Sequence, residues 1–273
     1  MTDLPAARPH NPVTPDPWQL LSRFTAARIG LGRAGASLPS RALLAFQLDH
    51  ARARDAVLRE LDSTGIENQL QTLRMPAVRL QSGAPDRATF IARPDLGRVL
   101  EPRSAELLAR QPARDPPWDV VIVLADGLSA LAVEKHAMPL LQLLLPRIAA
   151  EGWSLAPVCI VRQGRVAVAD HIGELLGARL AVILIGERPG LSSPDSLGIY
   201  LTWNPRQGRS NAERNCVSNV REPGGLAYTQ AVHRLHYLMT TARQLEYSGI
   251  ALKEDAAAKL PDAKSEPPSL PLD

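Results

Sequence analysis

At 273 residues, 45% apolar and 22% charged, the chain is long enough for one sizeable globular domain or two smaller ones, and 4% aromatic content leaves any core to Leu, Val, Ala and Ile. A net charge of +3 over that length, with no dense Lys/Arg run, argues against nucleic acid and still suits an acidic protein partner. Two cysteines, Cys159 and Cys216, exclude a disulfide framework and point to a reducing compartment; no signal pattern and no bilayer-length apolar run is present, so a soluble cytoplasmic protein is expected.

Residues 1–16 hold four prolines and little apolar content, and read as a disordered arm. Trp18, Leu20, Leu21 and Phe24 recur at helical spacing and predict a short amphipathic helix. A helix is predicted over 40–61, with Leu43, Leu44, Phe46, Leu48, Val57 and Leu58 on a buried side and His50, Arg52, Arg54 and Asp55 as a polar patch. Signals weaken from 62 to 117. Segments 77–80 and 90–92 are short strand candidates, RPDLGRVL (93–100) is a turn entering a helix, and 110–117 is a proline-rich linker where a domain boundary is placed.

After the linker the pattern sharpens. Residues 120–124 predict a buried strand, and Ala125–Ser129 a turn into a helix that Ser129 caps. Pro139 and Pro146 each remove a backbone donor, so that helix is expected to break or kink. Residues 155–161 predict the next strand. The stretch 165–191 then reads as a short strand (166–169), a helix (171–178), a buried strand (180–185) and a tight loop, Gly186–Gly190. A further strand over 199–203, a long loop over 204–225 and an amphipathic helix over 226–247 follow, the last with Gly249 as its C-cap. The tail from 253 to 273 reads as disordered. The alternation implies an α/β domain over 118–252 with a doubly wound, mainly parallel sheet, preceded by a smaller, mostly helical region over 17–117.

Several motifs invite chemistry. Gly30-Leu31-Gly32-Arg33-Ala34-Gly35 matches a dinucleotide pattern literally, but no buried strand precedes it, so an ordered interface loop carrying Arg28 and Arg33 is the better reading. Asp126 and Ser129 could serve a ligand or simply satisfy local backbone N–H groups. Glu187 has the better location, in a loop at the carboxyl end of a buried strand, where open α/β sheets bind ligands. It could equally pair with Arg188 or a helix end. Cys216 lacks the neighbours of a zinc site, and a nucleophilic role would need a lowered pKa. Asp170-His171 are adjacent and so do not face each other on a helix, and His233 and His236 share a face without a third ligand. No Ser-His-Asp order, phosphate loop or paired-carboxylate signature emerges. The residues describe a binding domain without its own catalytic set.

The segments RIGLGRAG (28–35), DHARARDAV (49–57), RPDLGR (93–98), VLADGLSA (123–130), VRQGRV (161–166), IGELLGARLAVILIGERPGL (172–191) and RNCVSN (214–219) resemble the small (light) subunit of ethanolamine ammonia-lyase, and span 18–252. The resemblance implies an adenosylcobalamin-dependent lyase that converts ethanolamine to acetaldehyde and ammonia by radical chemistry. It implies a large-subunit partner, a (β/α)8 barrel holding substrate and most catalytic groups, in a dimer of trimers of heterodimers. This chain would then cover the cofactor with a Rossmann-like domain, and its 17–117 region would contact partner subunits. The family's cobalamin contacts fall on Val166, Glu187 and Cys216. A different group of cobalamin domains donates a histidine to cobalt through D-x-H-x-x-G. Asp170-His171-Ile172-Gly173 lacks that spacing, so His171 is not expected to ligate cobalt and the cofactor would keep its own base. Some relatives work in bacterial microcompartments, which the resemblance admits as an alternative location. Two other readings are a stand-alone nucleotide-binding protein using the 126–129 turn and a non-catalytic scaffold.

Overall fold

A computed structural model of the chain describes residues 12–112 and 114–252. The expected tail over 253–273 and residues 1–11 of the expected arm lie outside the described residues.

A 3-10 turn at Pro17–Arg23 and an irregular stretch lead to helix α1 (Ser40–Leu58). Then come α2 (Ser63–Thr72), strand β1 (Ala77–Gln81), α3 (Arg87–Ala92) and α4 (Pro102–Ala109). The carboxyl half runs β2 (Val120–Ala125), α5 (Ala130–Ala150), β3 (Val158–Arg162), α6 (Val168–Leu176), β4 (Leu180–Gly186), β5 (Leu197–Trp203), β6 (Arg214–Val220) and α7 (Tyr228–Leu245).

The six strands form one sheet in the order β1-β3-β2-β4-β5-β6. β1, β3, β2 and β4 are parallel, whereas β5 and β6 are each antiparallel to the strand before. The sheet is therefore mixed, and the expected parallel run stops at β4. A parallel crossover takes about a dozen residues or more, usually with a helix, and the link over 187–196 holds none. β1 comes from ahead of the proline-rich 110–117 stretch and pairs along the whole of β3.

Alternation sorts the strand residues onto two faces. Val120, Ile122 and Leu124 of β2, with Val182 and Leu184 of β4, meet Leu140, Leu141 and Leu144 of α5 and Leu235 and Met239 of α7. Val121, Val123, Ile183 and Ile185 meet Val168 and Ile172 of α6 and Leu108 of α4. Helices thus lie on both faces, which is why β2 and β4 are buried at every position.

Five expectations need correction. α5 runs unbroken through Pro139 and Pro146, with Ser129 capping it at Ala132 N–H. Each proline frees the carbonyl four residues earlier, at a cost of about 3 kcal/mol. The ten buried residues of the helix outweigh this, since each large apolar side chain contributes about 1.5–3 kcal/mol. The candidate strand at 166–169 is instead the entry to α6, and the one at 90–92 lies in helix α3. The supposed loop over 204–225 contains β6.

The fifth correction concerns α1. Its apolar side is not covered by any of the described residues: Ala56 alone is buried, while Leu43, Leu44, Phe46, Leu48 and Leu58 are exposed, as are Trp18, Leu20, Leu21 and Phe24. The helix is anchored near its carboxyl end, where Arg87 donates to the Val57 carbonyl at 2.5 Å. Among the described residues no helix is long and apolar enough to cross a membrane.

Pro146 is exposed. Pro146→Ala restores a helical N–H without touching the core, so it should stabilise the protein by about 1–3 kcal/mol in urea unfolding; an unchanged or lower midpoint would contradict the account of α5.

Candidate functional site

Strand β4 delivers its last side chains to the α6 side of the sheet, and the next residue on that face is Glu187. Gly186 fixes the exit. A Cβ there would meet the Ser129 carbonyl oxygen at 2.0 Å, because the β2–α5 turn crosses over it and Leu128 N–H bonds the Gly186 carbonyl. The Glu187 N–H then donates to the Ser196 carbonyl at 2.9 Å. Its carboxylate accepts from the hydroxyls of Ser196 (2.5 Å) and Ser218 and from the Asn219 N–H (3.2 Å). None of these is the ion pair with Arg188 that the sequence left open.

The last two donors come from a β-bulge. Leu197 pairs with Val220 and Ile199 with Val217, so two residues of β6, Ser218 and Asn219, stand opposite Gly198 alone. Asn219 takes φ +59°, a conformation Asn tolerates better than most residues. Gly198 leaves room beneath the carboxylate: a Cβ there would sit 3.0 Å from Glu187 Oε1.

Tyr200 and Cys216 are cross-strand partners on this same face, close enough that each side chain shifts the ionisation of the other. Desolvation of the sulfur is the largest influence on the thiol and pushes its pKa up, a pull from Tyr200 opposes it and the Glu187 carboxylate adds to it, so the protonated form is favoured. Val166, half-buried in the turn before α6, packs against the same hydrophobic layer as Tyr200. The opposite face of β5 and β6 is sealed by Leu197, Ile199, Leu201, Val217 and Val220. Here Cys216 and Ser218 are exposed, so the β6 edge of this sheet face is open at those two positions. The structure thus brings Glu187 and Cys216 together through Tyr200 and Ser218, with Val166 on the same side of the sheet.

The model of the ethanolamine ammonia-lyase light chain (EutC) family matches residues 15–253. The chain belongs to that family. Among curated relatives, an ethanolamine ammonia-lyase small subunit of Azotobacter vinelandii is 56% identical over 94% of this chain and 96% of its own length. Those of Ralstonia nicotianae and Pseudomonas fluorescens SBW25 are 54% and 53% identical, over 92% and 88% of this chain and 93% and 87% of theirs.

Several of the segments that resemble this light-chain family are those that build the open face. VLADGLSA is the β2–α5 turn lying over Gly186, IGELLGARLAVILIGERPGL supplies α6, β4 and Glu187, and RNCVSN is the bulged strand β6. The glycine-rich loop RIGLGRAG has no preceding strand. Gly30 and Gly32, at φ +61° and +75°, pack against the backbones of Gln19 and Thr14, and Arg28 is paired with Asp49 of α1 at 2.6 Å.

Asp126 is not offered to a ligand. It is fully buried and accepts from the N–H groups of Gln163 (2.9 Å) and Gly164 (3.0 Å), with Arg87 3.5 Å away. It therefore clamps the end of β2 to the β3–α6 turn that carries Val166. His171 Nδ1 accepts from the Leu100 N–H at 3.1 Å, and His236 lies 3.1 Å from Glu151. Sequence reasoning missed Tyr200, Ser218, Gly198 and Arg87. The alternation of Gly198, Tyr200 and Thr202 in β5 was a usable signal for the first and third; nothing local marks a partner such as Arg87, 39 residues before Asp126 in the chain.

Burial pushes the Asp126 carboxyl up to about 6, against the pull of the Gln163 N–H, Arg87 and the Gly164 N–H. The native state then binds more protons than the unfolded chain between about pH 4 and 6. Its contribution to stability is therefore fully present at the acid end and is lost as pH rises through that window. A carbon-13 titration of the Asp126 carboxyl should show a midpoint near 6; a midpoint at or below 4 would refute the clamp as described.

Proposed function

We propose that this chain is the cofactor-covering small subunit of an ammonia-lyase that, with a large subunit, converts ethanolamine to acetaldehyde and ammonia. The carrying observation is the Glu187 carboxylate held at the end of β4 beside exposed Cys216 and Ser218 on the edge strand β6. A corrin ring is rimmed by primary amides, which need acceptors and donors in equal measure. Glu187 offers the one acceptor site its three donors leave on Oε1, Ser218 the lone pairs of its hydroxyl oxygen, and the backbone near Val166 and Cys216 further polar groups. The residues present fit the group. Adenosylcobalamin, when bound, supplies the radical that starts the reaction. The roles derived for this chain are to hold the ring's amides, orient it and keep water from its lower side.

In this reading the helices on either side of the sheet make a doubly wound, Rossmann-like frame over 118–252. The cofactor keeps its own base: a neutral His171 that accepts at Nδ1 carries its proton on Nε2 and has no lone pair there for cobalt. The reaction itself belongs to the large subunit's barrel, which accounts for a binding face without a catalytic set. The apolar residues left exposed on α1 and the Pro17–Arg23 turn favour a partner-contacting role for 17–117. The assembly is read as a dimer of trimers of heterodimers, in the cytoplasm or a microcompartment. A stand-alone nucleotide site at 126–129 is the weaker reading, because Asp126 is buried with both oxygens engaged.

Two experiments test this. Glu187→Ala in the complex should lower cobalamin affinity about tenfold, the worth of losing a charge-assisted acceptor, read from cobalamin absorbance retained through gel filtration; undiminished retention would defeat the assignment. Leu44→Asp with Leu48→Asp should abolish co-purification with the large subunit while far-ultraviolet circular dichroism stays the same; intact complex formation would remove α1 from the interface.

A further inference from the structure

The link over 187–196 starts at Glu187 and returns to the sheet through Pro194, Asp195 and Ser196. Its own backbone supplies a turn closed between Gly190 and Ser193 and the Glu187 N–H bond to Ser196. Further anchorage comes from α5, which packs on the face of the sheet opposite to Tyr200 and Cys216. Ser129, the cap of α5, donates its hydroxyl to the Pro194 carbonyl at 2.8 Å. Lys135 reaches Asp195 Oδ2 at 2.5 Å, and His136 Nε2 lies 3.5 Å from the same oxygen. Asp195 is thus held one residue before Ser196, whose hydroxyl donates to Glu187 at 2.5 Å.

His136 is the buried member of this cluster, with no exposed surface. Its Nδ1 is 2.7 Å from the hydroxyl of Tyr228, the first residue of α7. Nε2 faces a carboxylate, which would repel a lone pair, so the proton of the neutral ring sits on Nε2 and Nδ1 accepts from the phenol. Burial is the largest influence on the imidazole and lowers its pKa; Asp195 opposes this and Lys135 adds to it, so the neutral ring is favoured. Even so, Nε2 has no hydrogen-bond partner among the described residues. A buried donor is seldom left unmade without a reason, and here a carboxylate stands at the outer limit of bonding distance. Lys135, by contrast, is half exposed, and ion pairs in water hold little.

We propose that His136 is a positioning residue for the ligand site: through Asp195 and Ser196 it sets where the Glu187 carboxylate stands. The inference rests on the cofactor reading of Glu187 above. Asp195 and Ser196 are adjacent, so a displacement of one carries the other, and the Ser196 hydroxyl carries Glu187 with it. His136 stands across the sheet from Cys216 and acts only through the link. Its effect is to fix the link before the ligand arrives, which spares the cost of ordering it on binding.

The test is equilibrium dialysis of cobalamin against the two-subunit complex. Asp195→Ala should weaken binding about fivefold, as should His136→Asn, whose shorter amide takes the Nδ1 position alone. His136→Gln extends an amide N–H toward Asp195 and should recover most of that loss, while Lys135→Met should cost less than about twofold. Added to Glu187→Ala, Asp195→Ala should bring no further loss, because it acts through that carboxylate. Losses that multiply in the double variant, Asn and Gln variants that bind alike, or Lys135→Met as damaging as Asp195→Ala would each overturn the positioning role and leave the cofactor reading standing. A Glu187→Ala complex that binds cobalamin as wild type does would overturn both. Should the His136 variants fail to fold, the Asp195, Lys135 and double variants decide the matter by the same outcomes.

Discussion

One carboxylate closes the open end of the sheet. Glu187 leaves β4 and accepts hydrogen bonds from the β4–β5 link through Ser196 and from the bulge of β6 through Ser218 and Asn219. Without those donors a carboxylate seated over the Gly198 backbone would be costly, since an unpaired charge loses its hydration on partial burial. With them, three successive segments of chain are held to one point, and the face around Tyr200 and Cys216 takes a fixed shape. Preorganised polar groups of this kind are what a large, amide-rimmed ligand requires, because no loop then has to be ordered on binding.

A second buried carboxylate does the corresponding task one strand over. Asp126 spans from the end of β2 to the turn after β3, and Arg87 reaches it from α3 while also holding the carboxyl end of α1. The turn that carries Val166, the α3 segment and the root of α1 are therefore mechanically linked. A force applied at α1 therefore acts on the same buried cluster that sets the position of the β3–α6 turn.

The legibility of these parts in the sequence follows the physics of each. β2 and β4 were plain because VVIVLA and LAVILIG are buried on both faces and read as continuous apolar runs. β6 was read as loop because RNCVSNV buries Arg214, Val217 and Val220, every third residue, and a bulge breaks the period-two pattern. The prolines of α5 predicted a break, and tertiary burial overrode the local preference. The apolar stripe of α1 is real, but no described residue of the chain covers it.

The sequence by itself determined that the chain is an α/β protein, that the loop after LAVILIG carries an acidic residue at a strand end, and that its motifs are those of the ethanolamine ammonia-lyase light chain. Local patterns suffice there, because burial periodicity and turn residues are written in consecutive positions. Only the tertiary structure decided that the sheet turns antiparallel at β5, that a bulge aims Ser218 and Asn219 at Glu187, and that Lys135 and His136 of α5 meet Asp195 of the link. Those outcomes depend on which segments lie side by side, and contacts between separate elements leave no period in the sequence to read.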